Sequence, residues 1–186
     1  MLFQKILVAI ENSSLDHFVF NAALELGRSN QAVLRLVHCI ANEIVPTPMS
    51  NMPFETTTSP SLLLDNYQTQ QTLIEGRIEE AQAVLKGYCE EALLQNVATE
   101  SDYQIGEAGH QLCDAAKDWG ADLIVVGRRG RTGLAEALLG SVSNYVVHHA
   151  PCSVLVIQEV EPVSPAAAVT DSSSTVTYSD LNQEPV

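Results

Sequence analysis

Short apolar runs of strand length recur along this chain, separated by helix-length amphipathic segments, and this spacing restricts the fold more than any other feature. Lys5-Ile6-Leu7-Val8-Ala9-Ile10 is the first run; Val33 to Cys39, broken by Arg35, is the second; Leu123-Ile124-Val125-Val126 and Ser153 to Ile157 follow. A run without polar alternation suits a strand covered on both faces, as in a parallel sheet between helices. Residues 98–105 form a weaker, alternating strand.

The intervening segments read as helices. After the turn and N-cap chemistry of Glu11-Asn12-Ser13-Ser14, residues 15–29 carry Phe18, Ala22 and Leu26 with Phe20, Ala23 and Leu24 as a broad apolar face. In residues 68–95, Ile74, Ile78, Ala81, Leu85, Tyr88 and Ala92 recur at spacings of four and three. Glu107 to Trp119 is a helix closed by Gly120, and Ser141 to His149 is one stopped before Pro151. Five strands alternating with four helices imply right-handed crossovers and a doubly wound parallel α/β sheet with helices on both faces.

Two segments stand apart from this pattern. Residues 43–66 contain Pro46, Pro48, Pro53 and Pro60 among many Ser and Thr, which reads as a long, mobile insertion loop, either a lid or a plain surface loop. Residues 159–186 are acidic and rich in Ser, Thr and Pro, with too little apolar surface to offset ordering, and read as a disordered tail. One domain over residues 1–158 remains.

Charge narrows the function. The formal net charge of −14 argues against a nucleic-acid coat and against docking on an anionic membrane. No apolar run is long enough to span a bilayer, and the N-terminus lacks a secretory layout. Cys39, Cys89, Cys113 and Cys152 are widely spaced in apolar segments and read as reduced thiols of a cytoplasmic protein. Against the acidic trend, residues 127–150 hold three Arg and one Glu.

That segment also carries the chemistry. Gly127-Arg128-Arg129-Gly130-Arg131-Thr132-Gly133 follows the strand ending at Val126, and Gly140-Ser141-Val142-Ser143 opens the last helix, giving the spacing Gly-x2-Gly-x9-Gly-Ser. Glycines permit close backbone approach, a helix N-terminus presents amides to an anion, and Ser141 and Ser143 add hydroxyls. Arg128, Arg129 and Arg131 add positive charge at the rim, or serve as solubilising loop residues. The parts suit a di- or triphosphate. Neither a Walker A loop nor the dinucleotide fingerprint is present.

These stretches, with Ala121 to Gly130 and Ala150-Pro151-Cys152-Ser153-Val154-Leu155-Val156-Ile157, resemble the ATP-binding branch of the universal stress protein family. The resemblance implies a sheet of order 3-2-1-4-5 and a crevice between strands 1 and 4. It implies that Gly127, Gly130, Gly140, Ser141, Val142 and Ser143 hold phosphates and ribose. Ala9, Ile10 and Glu11 would line the nucleoside side, and Cys39 would meet adenine through its backbone. Glu11 stands where the family usually has Asp. The resemblance also implies ATP, ADP or AMP as ligand and a homodimer through the strand from Ser153 to Ile157.

The functional expectation is a nucleotide-dependent switch for an unidentified protein partner in stress adaptation. A slow ATPase is the alternative, with Glu11 or Asp16 holding Mg²⁺ or orienting water. A scaffold acting through the insertion or the tail is a third reading. His38 reads as a satisfied core histidine, His148-His149 as favourable charge at a helix end, His17 and His110 as isolated, and Trp119 as a packed helix-end residue.

Overall fold

The computed structural model describes residues 3–41, 60–128 and 140–158, with the backbone alone for 60–67. Strands β1 (Lys5–Ile10), β2 (Val33–Ile40), β3 (Thr99–Ile105), β4 (Leu123–Arg128) and β5 (Ser153–Gln158) form one parallel sheet in the order β3-β2-β1-β4-β5. The winding reverses between β1 and β4, where the loops leaving two adjacent strands diverge and open a crevice. Helices α1 (Asp16–Asn30), α2 (Pro60–Leu94), α3 (Ala108–Trp119) and α4 (Ser141–His149) complete the layers.

Strand alternation explains why the runs are apolar throughout. Ile6, Val8, Ile10, Leu34, Leu36 and Val125 face α1 and α2, packing on Val19, Phe20, Ala23 and Leu85. Leu7, Ala9, Val37, Ile124 and Val126 face α3 and α4, packing on Leu112, Ala116 and Val146. Each face buries its own core, so neither set of alternate positions tolerates a polar side chain.

Several local expectations are corrected. Helix α2 begins at Pro60, so it takes in residues read as the end of the 43–66 loop; proline suits a first helical turn, whose N–H needs no partner. The rest of that loop and the 159–186 tail lie outside the described residues. The buried face of α1 is Val19, Phe20, Ala23, Leu24 and Gly27, whereas Phe18 is 46% exposed. Ser14 does not cap α1. Instead the Asp16 carboxylate accepts hydrogen bonds from the Glu11 N–H (3.2 Å), the Ser13 N–H (3.1 Å) and the Ser13 hydroxyl (3.0 Å), and so closes the β1–α1 turn. Strand β4 runs through Gly127 to Arg128 because both pair with β5, opposite Ile157 and Gln158. Gly120 closes α3 in the left-handed conformation at φ 70°, as its sequence position suggests.

Candidate functional site

The carboxyl ends of β1, β2 and β4 and the facing ends of α3 and α4 enclose a cavity of about 310 Å³. Ala9, Ile10 and Glu11 contribute from the end of β1, Cys39 from β2, and Gly127 from β4. Gly140, Ser141, Val142 and Ser143 form the opposing wall at the start of α4. Residues far apart in sequence thus meet at the switch point. Val37, Ala108 and Leu112 also line the cavity and were missed by sequence reasoning. Val37 had a signal, because it shares a strand face with Cys39; Ala108 and Leu112 become visible only when α3 is seated on the sheet.

The α4 wall is built to donate. Gly140 caps the helix without a side-chain hydrogen bond, and the Asn144 N–H is the first to find the Gly140 carbonyl, at 2.8 Å. The amides of Ser141, Val142 and Ser143 precede it and have no acceptor within the helix. They stand at the positive end of the helix dipole and border the cavity. The Ser143 hydroxyl is not an additional donor toward the cavity: it is buried and donates to the Gly140 carbonyl at 3.1 Å, fixing the first turn. Ser141 is exposed.

The opposite end is acidic and thiol-lined. Cys39 donates weakly to the Ala108 carbonyl at 3.9 Å, and burial, with Glu11 and then Glu107 nearby, pushes its pKa up to about 12. The thiol is therefore neutral at physiological pH and acts as a small apolar wall. Glu11 is exposed and also borders a second cavity of about 340 Å³ on the α2 side of the sheet, so it stands on the ridge between the two. Asp16 is 3% exposed and engaged in the β1–α1 turn, which removes it as a metal or water ligand.

The motif residues divide by role. Gly127 borders the cavity, yet a Cβ there would fall 2.6 Å from Leu15 Cδ2 and 3.1 Å from Val19 Cγ2, so the side chains at the start of α1 must shift to admit any other residue. Among the described residues, a Cβ at Gly140 would meet only Ser143 Oγ, at 3.7 Å. Arg128 does not line the cavity. It is half-buried, and its Nε has no hydrogen-bond partner among the described residues. Arg129 and Gly130 lie outside the described residues. His38 differs from expectation, since its buried Nδ1 likewise lacks a partner among them. Among the described residues, no three His, Cys, Asp or Glu side chains are grouped to hold a metal. No helix among them is long and apolar enough to cross a membrane.

Comparison with known proteins agrees with this architecture. The universal stress protein family profile matches residues 2–158. The chain is 37% identical over 158 residues to the universal stress protein Sll1388 of Synechocystis, covering 85% of this chain and 99% of the relative. It is 34% identical over 160 residues to the universal stress protein YxiE of Bacillus subtilis, covering 84% of this chain and all (100%) of the relative. A universal stress protein family structure from Arabidopsis thaliana, solved with AMP bound, superposes with a TM-score of 0.55 at 21% identity, covering 88% of this chain and 98% of that one. At that identity the superposition shows the fold alone.

Proposed function

We propose that this chain, which belongs to the universal stress protein family, binds an adenine nucleotide in the switch-point cavity and acts as a nucleotide-dependent regulator of a partner protein. The observation that carries the reading is the row of Ser141, Val142 and Ser143 amides, free of helical acceptors, on the wall of a cavity of about 310 Å³. That volume lies in the range of small-molecule pockets. The AMP-bound relative supports the ligand class.

Polarity orients the ligand. Phosphates belong at the α4 amides, and the base and ribose toward Glu11 and Cys39, where the neutral thiol and Val37 offer an apolar surface and Glu11 offers a hydroxyl acceptor. Arg128 lies outside the cavity lining, so its charge acts on the phosphates from beyond the wall rather than by lining it. A Mg²⁺ ion entering with ATP or ADP would meet Glu11 and not Asp16. Four free cysteines suit the reducing cytoplasm.

The two sheet edges support a homodimer through β5. Edge β3 reads Thr-Glu-Ser-Asp-Tyr-Gln-Ile and carries Glu100 and Asp102, which repel a second edge; edge β5 reads Ser-Val-Leu-Val-Ile-Gln and is apolar. Calorimetric titration with ATP, ADP and AMP tests the reading. Saturable binding of at least one is expected, and no binding of any would overturn it.

A further inference from the structure

We propose that Tyr145 is a positioning residue that sets the phosphate-binding amides of α4 against α3, with Gly109 as its seat. The inference rests on the nucleotide reading above and concerns what holds that site in shape.

Helix α4 has only nine residues and no side-chain N-cap. Its first turn, at 141–143, borders the cavity; the Ser143 hydroxyl fixes the shape of that turn, and contacts further along the helix set where it stands against α3. Tyr145 lies one turn further on and reaches α3 at the turn that supplies Ala108 and Leu112 to the opposite wall. There it meets Gly109. A Cβ at Gly109 would lie 2.8 Å from Tyr145 Cδ1 and 2.9 Å from its Cβ and Cγ, so the ring occupies the space of the missing side chain. Gly109 is buried in the first turn of α3, where a side chain would run into the ring. The close approach of Tyr145 supplies the reason for the glycine.

Polar contacts lock the ring. The Tyr145 hydroxyl and His110 Nδ1 are 2.9 Å apart, and His110 Nε2 lies 3.4 Å from Glu107 Oε2, the Glu107 residue being the N-cap of α3. On the other side His149 stacks on the Tyr145 ring with centroids 4.0 Å apart and 10° between planes, while its Nδ1 lies 2.9 Å from the Tyr145 carbonyl. One ring thus ties the N-terminal turn of α3 to the middle and the C-terminal end of α4. A helix two and a half turns long is rigid over that distance, so a shift at Tyr145 moves the amides at 141–143 with it.

The test is calorimetric titration of the full chain with ADP and with adenosine, for wild type, Gly109→Ala and Tyr145→Phe, with a thermal melt of each. Adenosine lacks the group that α4 holds. Gly109→Ala, which displaces the ring, is expected to weaken ADP binding at least roughly tenfold while adenosine changes less than twofold. Tyr145→Phe, which keeps the ring and loses one exposed hydrogen bond, is expected to weaken ADP by a smaller factor, roughly twofold. The ratio of ADP to adenosine affinity is the decisive readout, because general destabilisation lowers both together. Wild-type binding with an unchanged ratio in both variants would overturn the proposal alone. Failure of the wild type to bind ADP, with ATP and AMP failing likewise in the titration above, would overturn the nucleotide reading and this proposal with it.

Discussion

The Glu11 amide donates to the Asp16 carboxylate at 3.2 Å, which makes a buried acid five residues downstream the fixed point for the ligand-facing end of β1. Both residues are acidic and close in sequence, yet Asp16 shapes the turn and Glu11 faces the cavity. Asp16→Ala takes the shared carboxylate acceptor from the part-buried Glu11 and Ser13 amides, and a hydrogen bond to a charged group contributes about 1.5–3 kcal/mol, less where water reaches the donor. A loss of about 2–4 kcal/mol in urea unfolding is expected, with Asp16→Asn, which keeps one acceptor oxygen, losing less.

Two glycines of one motif should respond differently. Gly127→Ala drives a methyl into Leu15 and Val19 and should cost about 1–3 kcal/mol of stability. Gly140→Ala, at φ −58° with no close contact among the described residues, should cost about 0.5–1 kcal/mol, the N-cap's preference for glycine over alanine. Denaturant midpoints of the two variants distinguish a packing glycine from one that keeps the cavity wall low.

Cys39 should alkylate slowly. Its pKa is raised to about 12, so the thiolate is scarce at pH 8, and the rate should climb with pH well beyond the range in which an ordinary thiol levels off. Mass-spectrometric rates with iodoacetamide from pH 7 to pH 10, in denaturant and out, check the direction; a plateau near pH 9 in the folded protein would contradict it.

Light scattering reads the proposed β5 edge. The wild type should give about twice the 20.1 kDa chain mass, and Ile157→Lys, placing charge on the apolar edge, should shift it toward the single-chain value. A wild-type mass near that of one chain at micromolar concentration would contradict the pairing.

Sheet order and crevice were legible in the sequence because they follow from long-range regularities: buried runs of strand length, and a family resemblance that supplied the order. Cys39 entered only through that resemblance, since a residue at a strand end carries no local mark of a cavity. What escaped sequence reasoning depended on how elements meet. The α1 face keeps Phe20, Ala23 and Leu24 but takes Val19 in place of Phe18, because periodicity cannot tell which edge of a broad apolar stripe turns to the sheet. The Ser143 hydroxyl, unlike its amide, turns to the Gly140 carbonyl, which the Gly-Ser spacing does not reveal. Gly127 lines the cavity as its motif suggests, but the side chains of Leu15 and Val19 packed against it carry no mark in the motif.

The central claim is that the amides opening α4 hold phosphate, and amide chemical shifts read them directly. In a ¹⁵N-resolved titration with ADP, the account predicts large, saturable shifts at Ser141, Val142 and Ser143, smaller ones at Cys39 and Glu11, and none at the distant, exposed Leu93 and Leu94. Saturable ADP binding that leaves residues 141–143 unmoved would contradict it.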